Sequence, residues 1–262
     1  MLEPRKQKEV AYYDRYAQEW LERSTDDRPP GDFEGFSPFS LASYHFCYEQ
    51  LARHCLAKTV LDYGCGNGLH AVFLAKSDAR KVVAIDLSEK SLLIAKKLAE
   101  KEGVADKIEF LKMDCEQMSF SDNSFDLIFD GGTFSSLDLN KAFPELVRVL
   151  RPDGFLIGIE TLGHNPLTNL KRRLNRLVGK RTEWAVGHIL KTNDLQKTGQ
   201  YFTKIETNFF HLISWLIFPF LNLPGAKTML RLLEGLERIL LRFAYLKKYA
   251  FKVVFVSSGP KK

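Results

Sequence analysis

A chain of 262 residues, 45% hydrophobic and 27% charged, suits one large α/β domain with insertions and excludes global disorder. Its formal net charge of +6 permits nucleic acid, a membrane surface or an anionic substrate as partner and selects none of them. The four cysteines, Cys47, Cys55, Cys65 and Cys115, form no CxxC pair and have no His at zinc-finger spacing. They read as reduced thiols of a cytoplasmic protein, with no metal site expected.

The opening stretch MLEPRKQKEVAYYDRY is charged and has no apolar centre, unlike a secretory signal. Residues 5–22 read as a helix with Val10, Tyr13, Ala17 and Leu21 on one stripe, and the Pro-, Gly- and Asp-rich stretch 24–40 as a loop. A helix over 41–55 follows. Strands are then expected at Thr59–Tyr63, Lys81–Ile85, Ile108–Met113, Phe125–Phe129 and Phe155–Glu160. Helices near 69–76, 89–102 and 139–149 lie between them, and Pro152, Asp153 and Gly154 form a turn into the fifth strand. Apolar strands alternating with helices predict a Rossmann-like, mostly parallel sheet covered on both faces.

After residue 160 the rhythm breaks. A basic stretch (Lys171, Arg172, Arg173, Arg176, Lys180, Arg181) precedes a capped helix near 193–200 and a strand at 203–209. The run Phe209–Leu223 is strongly apolar, yet Pro219 interrupts it and it is shorter than the ~20 residues of a spanning helix. Residues 226–248 place Met229, Leu232, Leu233, Leu236, Leu240 and Phe243 on one helical stripe, with Arg231, Glu234, Glu237, Arg238, Arg242 and Lys247 opposite. Ala250–Val256 is a final strand. The expected organisation is an N-terminal lid segment over 1–57, a ligand-binding core over 58–208, an apolar helical cap inserted at 209–248, and a last strand and tail over 249–262.

The main chemical signal is LDYGCGNG at 61–68. A buried strand ends in Asp62 and a turn of Gly64, Gly66 and Gly68 that opens a helix. Glycines let the backbone turn sharply and approach a ligand, and the helix start supplies unpaired N–H groups. The GxGxG spacing is not the dinucleotide fingerprint, because position 69 is Leu, and it lacks the Lys-Ser/Thr of a phosphate loop. Asp86 ends the second strand, where a carboxylate can accept ribose hydroxyls. Ser88 is the better helix cap and leaves Asp86 to a ligand.

Four segments in order resemble the class I S-adenosylmethionine-dependent methyltransferase family: LDYGCGNG, VVAIDLS at 82–88, FLKMDCEQMSFSDNSFDLIF from 110, and LVRVLRPDGFLIGIE from 146. The resemblance implies a seven-stranded sheet with its last strand antiparallel and S-adenosylmethionine as cofactor. It also implies that Asp62, Gly64, Gly66 and Gly68 hold the methionine end of the cofactor and Asp86 its ribose. Leu87 would pack on the adenine, with Asp114 and the Cys115 N–H on its polar edge. Asp130 and Gly131 would stand beside the reacting methyl, and Tyr13 and Tyr16 would belong to a lid helix.

Methyl transfer from a sulfonium is an in-line displacement, so alignment and exclusion of water matter most, and a base is needed only where the acceptor must lose a proton. His164, in a GHNP segment after the fifth strand, and His188, in an RT…H pattern, are the candidate bases. The His that many small-molecule members carry after the fourth strand is absent; this chain reads Gly131-Gly132-Thr133. The expected function is O- or C-methylation of a lipophilic, quinone-like or lipid-like small molecule. The alternatives are an RNA or protein acceptor, disfavoured because no RNA-binding module is appended, and a non-catalytic cofactor-binding subunit. The 209–248 block suits a cap, a homodimer contact or peripheral docking on an anionic membrane.

Overall fold

A computed structural model describes residues 2–23, 41–177 and 182–262. The loop expected over 24–40 lies outside the described residues, as do Lys180, Arg181 and the side chains of Lys171 and Arg176. Helix α1 (Pro4–Arg23) and α2 (Ala42–Cys55) lead into β1 (Thr59–Tyr63), α3 (Leu69–Lys76), β2 (Lys81–Asp86), α4 (Glu89–Lys101), β3 (Ile108–Lys112) and β4 (Phe125–Asp130). Then come α5 (Leu139–Val149), β5 (Leu150–Thr161), α6 (Pro166–Leu177), α7 (Glu183–Gly187), α8 (Thr192–Lys197) and β6 (Phe202–Phe210). A 3-10 segment (Ser214–Phe220), α9 (Ala226–Leu240), α10 (Ala244–Lys247) and β7 (Lys252–Pro260) complete the chain.

The strands form one sheet in the order β3-β2-β1-β4-β5-β7-β6. The first five are parallel, and β7 runs antiparallel to both β5 and β6. Strand order reverses between β1 and β4, and the register Tyr63↔Ile85 and Tyr63↔Asp130 brings the carboxyl ends of β1, β2 and β4 level. Ligands bind at such a reversal point in open α/β sheets.

Alternate residues of β1 feed two cores. Val60 packs with Tyr44, Leu51, Leu74 and Leu98 of α2, α3 and α4, while Leu61 and Tyr63 pack with Phe143 and Leu146 of α5 and Leu195 of α8. Leu74 and Leu146 have no exposed surface, and each such burial is worth about 1.5–3 kcal/mol relative to exposure.

One expectation needs correction. The fifth strand begins at Leu150 instead of Phe155: Leu150 already pairs with Phe125, Phe155 pairs with Leu127, and the Pro152–Gly154 turn is an excursion inside the strand. The direction of the α9 stripe, left open by periodicity, is mostly outward, with Leu233 and Leu240 half-buried. Met229, Leu232, Leu236 and Phe243 are exposed, whereas Ala226, Leu230 and Glu237 face the protein. The cause is polar. Glu237 accepts hydrogen bonds from the backbone N–H groups of His211 (2.8 Å), Ile213 (3.0 Å) and Ser214 (3.1 Å) and from the Ser214 hydroxyl (3.0 Å), while Glu234 accepts from the Ala42 N–H (3.1 Å). Turning this face outward would abandon several buried donors, each costing about 1–3 kcal/mol.

Candidate active site

The three motif glycines all have positive φ, but their surroundings differ. A β-carbon at Gly64 would stand 2.3 Å from Thr133 Oγ1, and one at Gly68 would stand 2.6 Å from the β-carbon of Ala95 in α4. A β-carbon at Gly66 would meet nothing within 4 Å. Gly64 and Gly68 therefore serve close packing, and Gly66 is where the backbone borders open space. Asp86 stands beside that opening. Its Oδ2 accepts from the Gly66 N–H (2.9 Å) and its Oδ1 from the Ser88 N–H (2.8 Å), and burial raises its pKa. The Ser88 hydroxyl caps α4 by accepting from the Ser91 N–H (3.1 Å), so capping does not consume Asp86. Leu87 is partly buried next to it, and Asp62 is buried within β1. Burial raises the pKa of the Cys65 and Cys115 thiols, which marks both as packing groups. The Cys115 carbonyl accepts from the Tyr63 hydroxyl (2.7 Å).

Helix α1 crosses the loops that follow β2, β3 and β4. The Ser88 hydroxyl donates to Asp14 Oδ1 (2.6 Å), Lys6 Nζ reaches Asp114 Oδ2 (2.5 Å) and Glu116 (2.9 Å), Arg5 pairs with Glu116 (2.7 Å), and the Tyr13 hydroxyl lies 3.4 Å from that of Ser136. Asp114, expected to meet an adenine, is thus engaged by the helix above it, and its Oδ1 also accepts from the Glu116 N–H (2.9 Å). Tyr16 is half exposed. Sequence reasoning missed Glu9, which shares the buried face of α1 with Lys6, Tyr13 and Ala17; both its carboxylate oxygens are buried without a hydrogen-bond partner. The 3–4 spacing of 6, 9, 13 and 17 was a signal for that face.

Beside the end of β4 is a second group that the sequence did not reveal. A β-carbon at Gly131 would stand 2.9 Å from Cδ2 and 3.2 Å from Nε2 of His70, so the imidazole fills the place of the missing side chain. The buried Tyr48 hydroxyl meets His70 Nδ1 at 2.8 Å, and the ring stacks on Tyr44 and meets the edge of Phe129. Asp130 has no exposed surface and binds the Thr133 N–H (2.9 Å), so it shapes the glycine loop from beneath. Burial, reinforced by neighbouring Glu160, raises its pKa well above the usual carboxylate range. Glu160 accepts from the Phe134 N–H (2.7 Å), and buried Lys252 donates to the Tyr44 hydroxyl (3.1 Å).

Of the two histidines singled out in the sequence, His164 lies on the loop after β5 and His188 at the end of α7. His164 Nε2 accepts from the Thr192 N–H (3.0 Å), which ties the loop after β5 to the start of α8, and burial lowers its pKa. His188 is exposed and stacks on Trp184 at 3.6 Å, with Arg5 of α1 also lying 4.4 Å from the Trp184 ring centroid.

A parallel sheet with this order and a glycine turn at its reversal point defines a nucleoside-cofactor fold. Residues 60–154 match the family described as "Methyltransferase domain". The chain is 36% identical over 131 residues to sterol 24-C-methyltransferase erg6 of Aspergillus fumigatus, covering 43% of this chain and 35% of that protein. It is 32% identical over 103 residues to demethylmenaquinone methyltransferase of Bacteroides fragilis, covering 38% and 42%. This chain therefore spans less than half the length of these curated relatives. Geranyl diphosphate C-methyltransferase of Streptomyces coelicolor, solved with Mg2+, geranyl diphosphate and S-adenosyl-L-homocysteine, superposes with a TM-score of 0.62 over 98% of each chain at 13% identity, a likeness of fold. The chain carries a class I S-adenosylmethionine-dependent methyltransferase domain.

Proposed function

We propose that this protein is an enzyme that transfers a methyl group from S-adenosylmethionine to a lipophilic small molecule. The observation that carries the reading is the opening at Gly66 with the Asp86 carboxylate beside it, a cradle that a β-carbon would fill. That cradle fits the cofactor: Asp86 is held by backbone N–H groups and keeps acceptor capacity for a ribose hydroxyl, and the Glu9 carboxylate of α1, buried without a hydrogen-bond partner, suits a cationic ligand. The bound cofactor supplies an activated methyl group. The protein's part is to bind and orient it through Gly66, Asp86 and Glu9, and to exclude water with α1.

His70 is the proposed base for an acceptor that must lose a proton. It faces the glycine loop after β4, and its contact with Tyr48 fixes the ring orientation. With Nδ1–H donated to Tyr48, Nε2 becomes the acceptor. The names of the sterol and demethylmenaquinone relatives support a lipid-like or quinone-like acceptor.

The test is calorimetric titration with S-adenosylmethionine, followed by S-adenosylhomocysteine release with a sterol and a prenylated quinone as acceptors. The expected result is cofactor binding that Asp86→Ala weakens at least tenfold, with turnover on one acceptor class. A folded protein that binds no cofactor, with or without acceptor present, overturns the reading.

A further inference from the structure

No described helix is long and apolar enough to cross a membrane, yet the surface from 214 to 243 is unusually apolar. Leu216, Phe220, Leu223, Met229, Leu232, Leu236, Ile239 and Phe243 each expose about half or more of their surface, with Leu232 at 64% and Ile239 at 57%. On α9 the exposed apolar residues recur at 229, 232, 236 and 239, a single stripe along the helix. A stripe of this kind on a monomer's surface marks an interaction site.

The charges beside it indicate the partner. Residues 212–249 contain six basic residues, Lys227, Arg231, Arg238, Arg242, Lys247 and Lys248, and two acids, Glu234 and Glu237. Both acids face the protein and are held by backbone donors, so the charge that residues 212–249 themselves display beside the stripe is positive. Pairing with a second copy through the stripe would bring Lys227, Arg231, Arg238 and Arg242 of each chain together. An anionic bilayer meets both features at once, taking apolar side chains into its interfacial layer and attracting each nearby cation. Beneath α9, between α2 and β6, lies a cavity of about 300 Å³. Phe46, Phe209, Phe210 and Leu241 line it, together with the charged pairs Glu234 and Glu237, Arg238 and Arg242.

We propose that the exposed face of α9 and of the 214–223 segment docks this protein on an anionic lipid bilayer. This deepens the lipophilic-acceptor reading and shares its premise that the acceptor resides in lipid, while resting on different residues.

The experiment is co-sedimentation of the full chain with phosphatidylcholine vesicles, with and without phosphatidylglycerol. The proteins compared are wild type, Leu232→Ser/Leu236→Ser/Ile239→Ser, and Arg231→Glu/Arg238→Glu. All five positions are exposed, so the variants should fold, as circular dichroism and unchanged S-adenosylmethionine affinity would verify. The expected result is binding to the anionic vesicles that falls at least tenfold in either variant and weakens strongly in high salt. Vesicle binding that neither variant alters, or no vesicle binding at all, overturns the proposal. So does a concentration-dependent dimer that the triple variant abolishes while vesicles go unbound, an outcome that assigns the face to a second copy. Vesicle binding by a protein that takes up no cofactor would sink the methyl-transfer reading and leave the docking face standing.

Discussion

The imidazole of His70 occupies the space that a side chain at Gly131 would fill: an ideal β-carbon there would lie 3.2 Å from Nε2 and 2.9 Å from Cδ2. An imidazole is thus delivered to the end of β4 from α3, with no histidine in the loop itself. His70→Asn is expected to lower turnover by about 10²–10⁴-fold on an acceptor that must be deprotonated, with cofactor affinity changed less than about threefold. Tyr48→Phe should produce a smaller loss. A His70→Asn protein with full turnover on such an acceptor would remove the imidazole from the mechanism.

Gly66 and Gly68 are expected to fail in different ways. Gly66→Ala incurs only the left-handed backbone strain of φ +51, roughly 1 kcal/mol, and its main effect should be a cofactor affinity at least tenfold weaker. Gly68→Ala adds a collision with the β-carbon and α-carbon of Ala95, so a stability loss of about 2–4 kcal/mol is expected. Urea denaturation beside calorimetry separates the two; equal stability losses would contradict the assignment.

Glu9 is a buried carboxylate without a partner. Replacing it with the neutral, isosteric Gln should leave the melting temperature without ligand unchanged or raise it. Cofactor affinity should fall several-fold, and the cofactor-induced rise in melting temperature should shrink. Unchanged affinity would show that Glu9 does not reach the ligand.

His211 is buried, bridges the hydroxyls of Ser43 and Ser214, and has its pKa pushed down to about 3 by burial. The unfolded chain takes up a proton near pH 6.5 that the folded chain refuses, so the stability His211 confers is complete above that pH and lost as pH falls toward 3. One such group contributes a slope of about 1.4 kcal/mol per pH unit over that range. His211→Gln should flatten the loss between pH 6 and 4.5 relative to wild type in urea titrations; an identical slope would place the acid sensitivity elsewhere.

The parts of this protein that were legible in its sequence are those written locally. The β1 glycine turn, the strand boundaries of β1 and β4 and the Ser88 cap depend on neighbours within a few residues. His70 was not legible as a candidate, because its position beside Gly131 depends on how α3 and β4 pack across 61 positions of sequence. His164 was legible as a histidine near the sheet's edge, but its bond to the Thr192 N–H depends on a return of the chain 28 residues later. Periodicity identified the apolar stripe of α9 without indicating which side of the helix meets the core. The donors at 211–214 decide that, and nothing in the helix itself declares them.

Because Glu237 and its donors set the orientation of α9, the leucines outside bear no responsibility for the fold. Their identities can drift, lengthen or turn polar over generations while the helix stays in place. A chain built this way can change what its outer surface adheres to without renegotiating its architecture, so long as one inward acid keeps its donors.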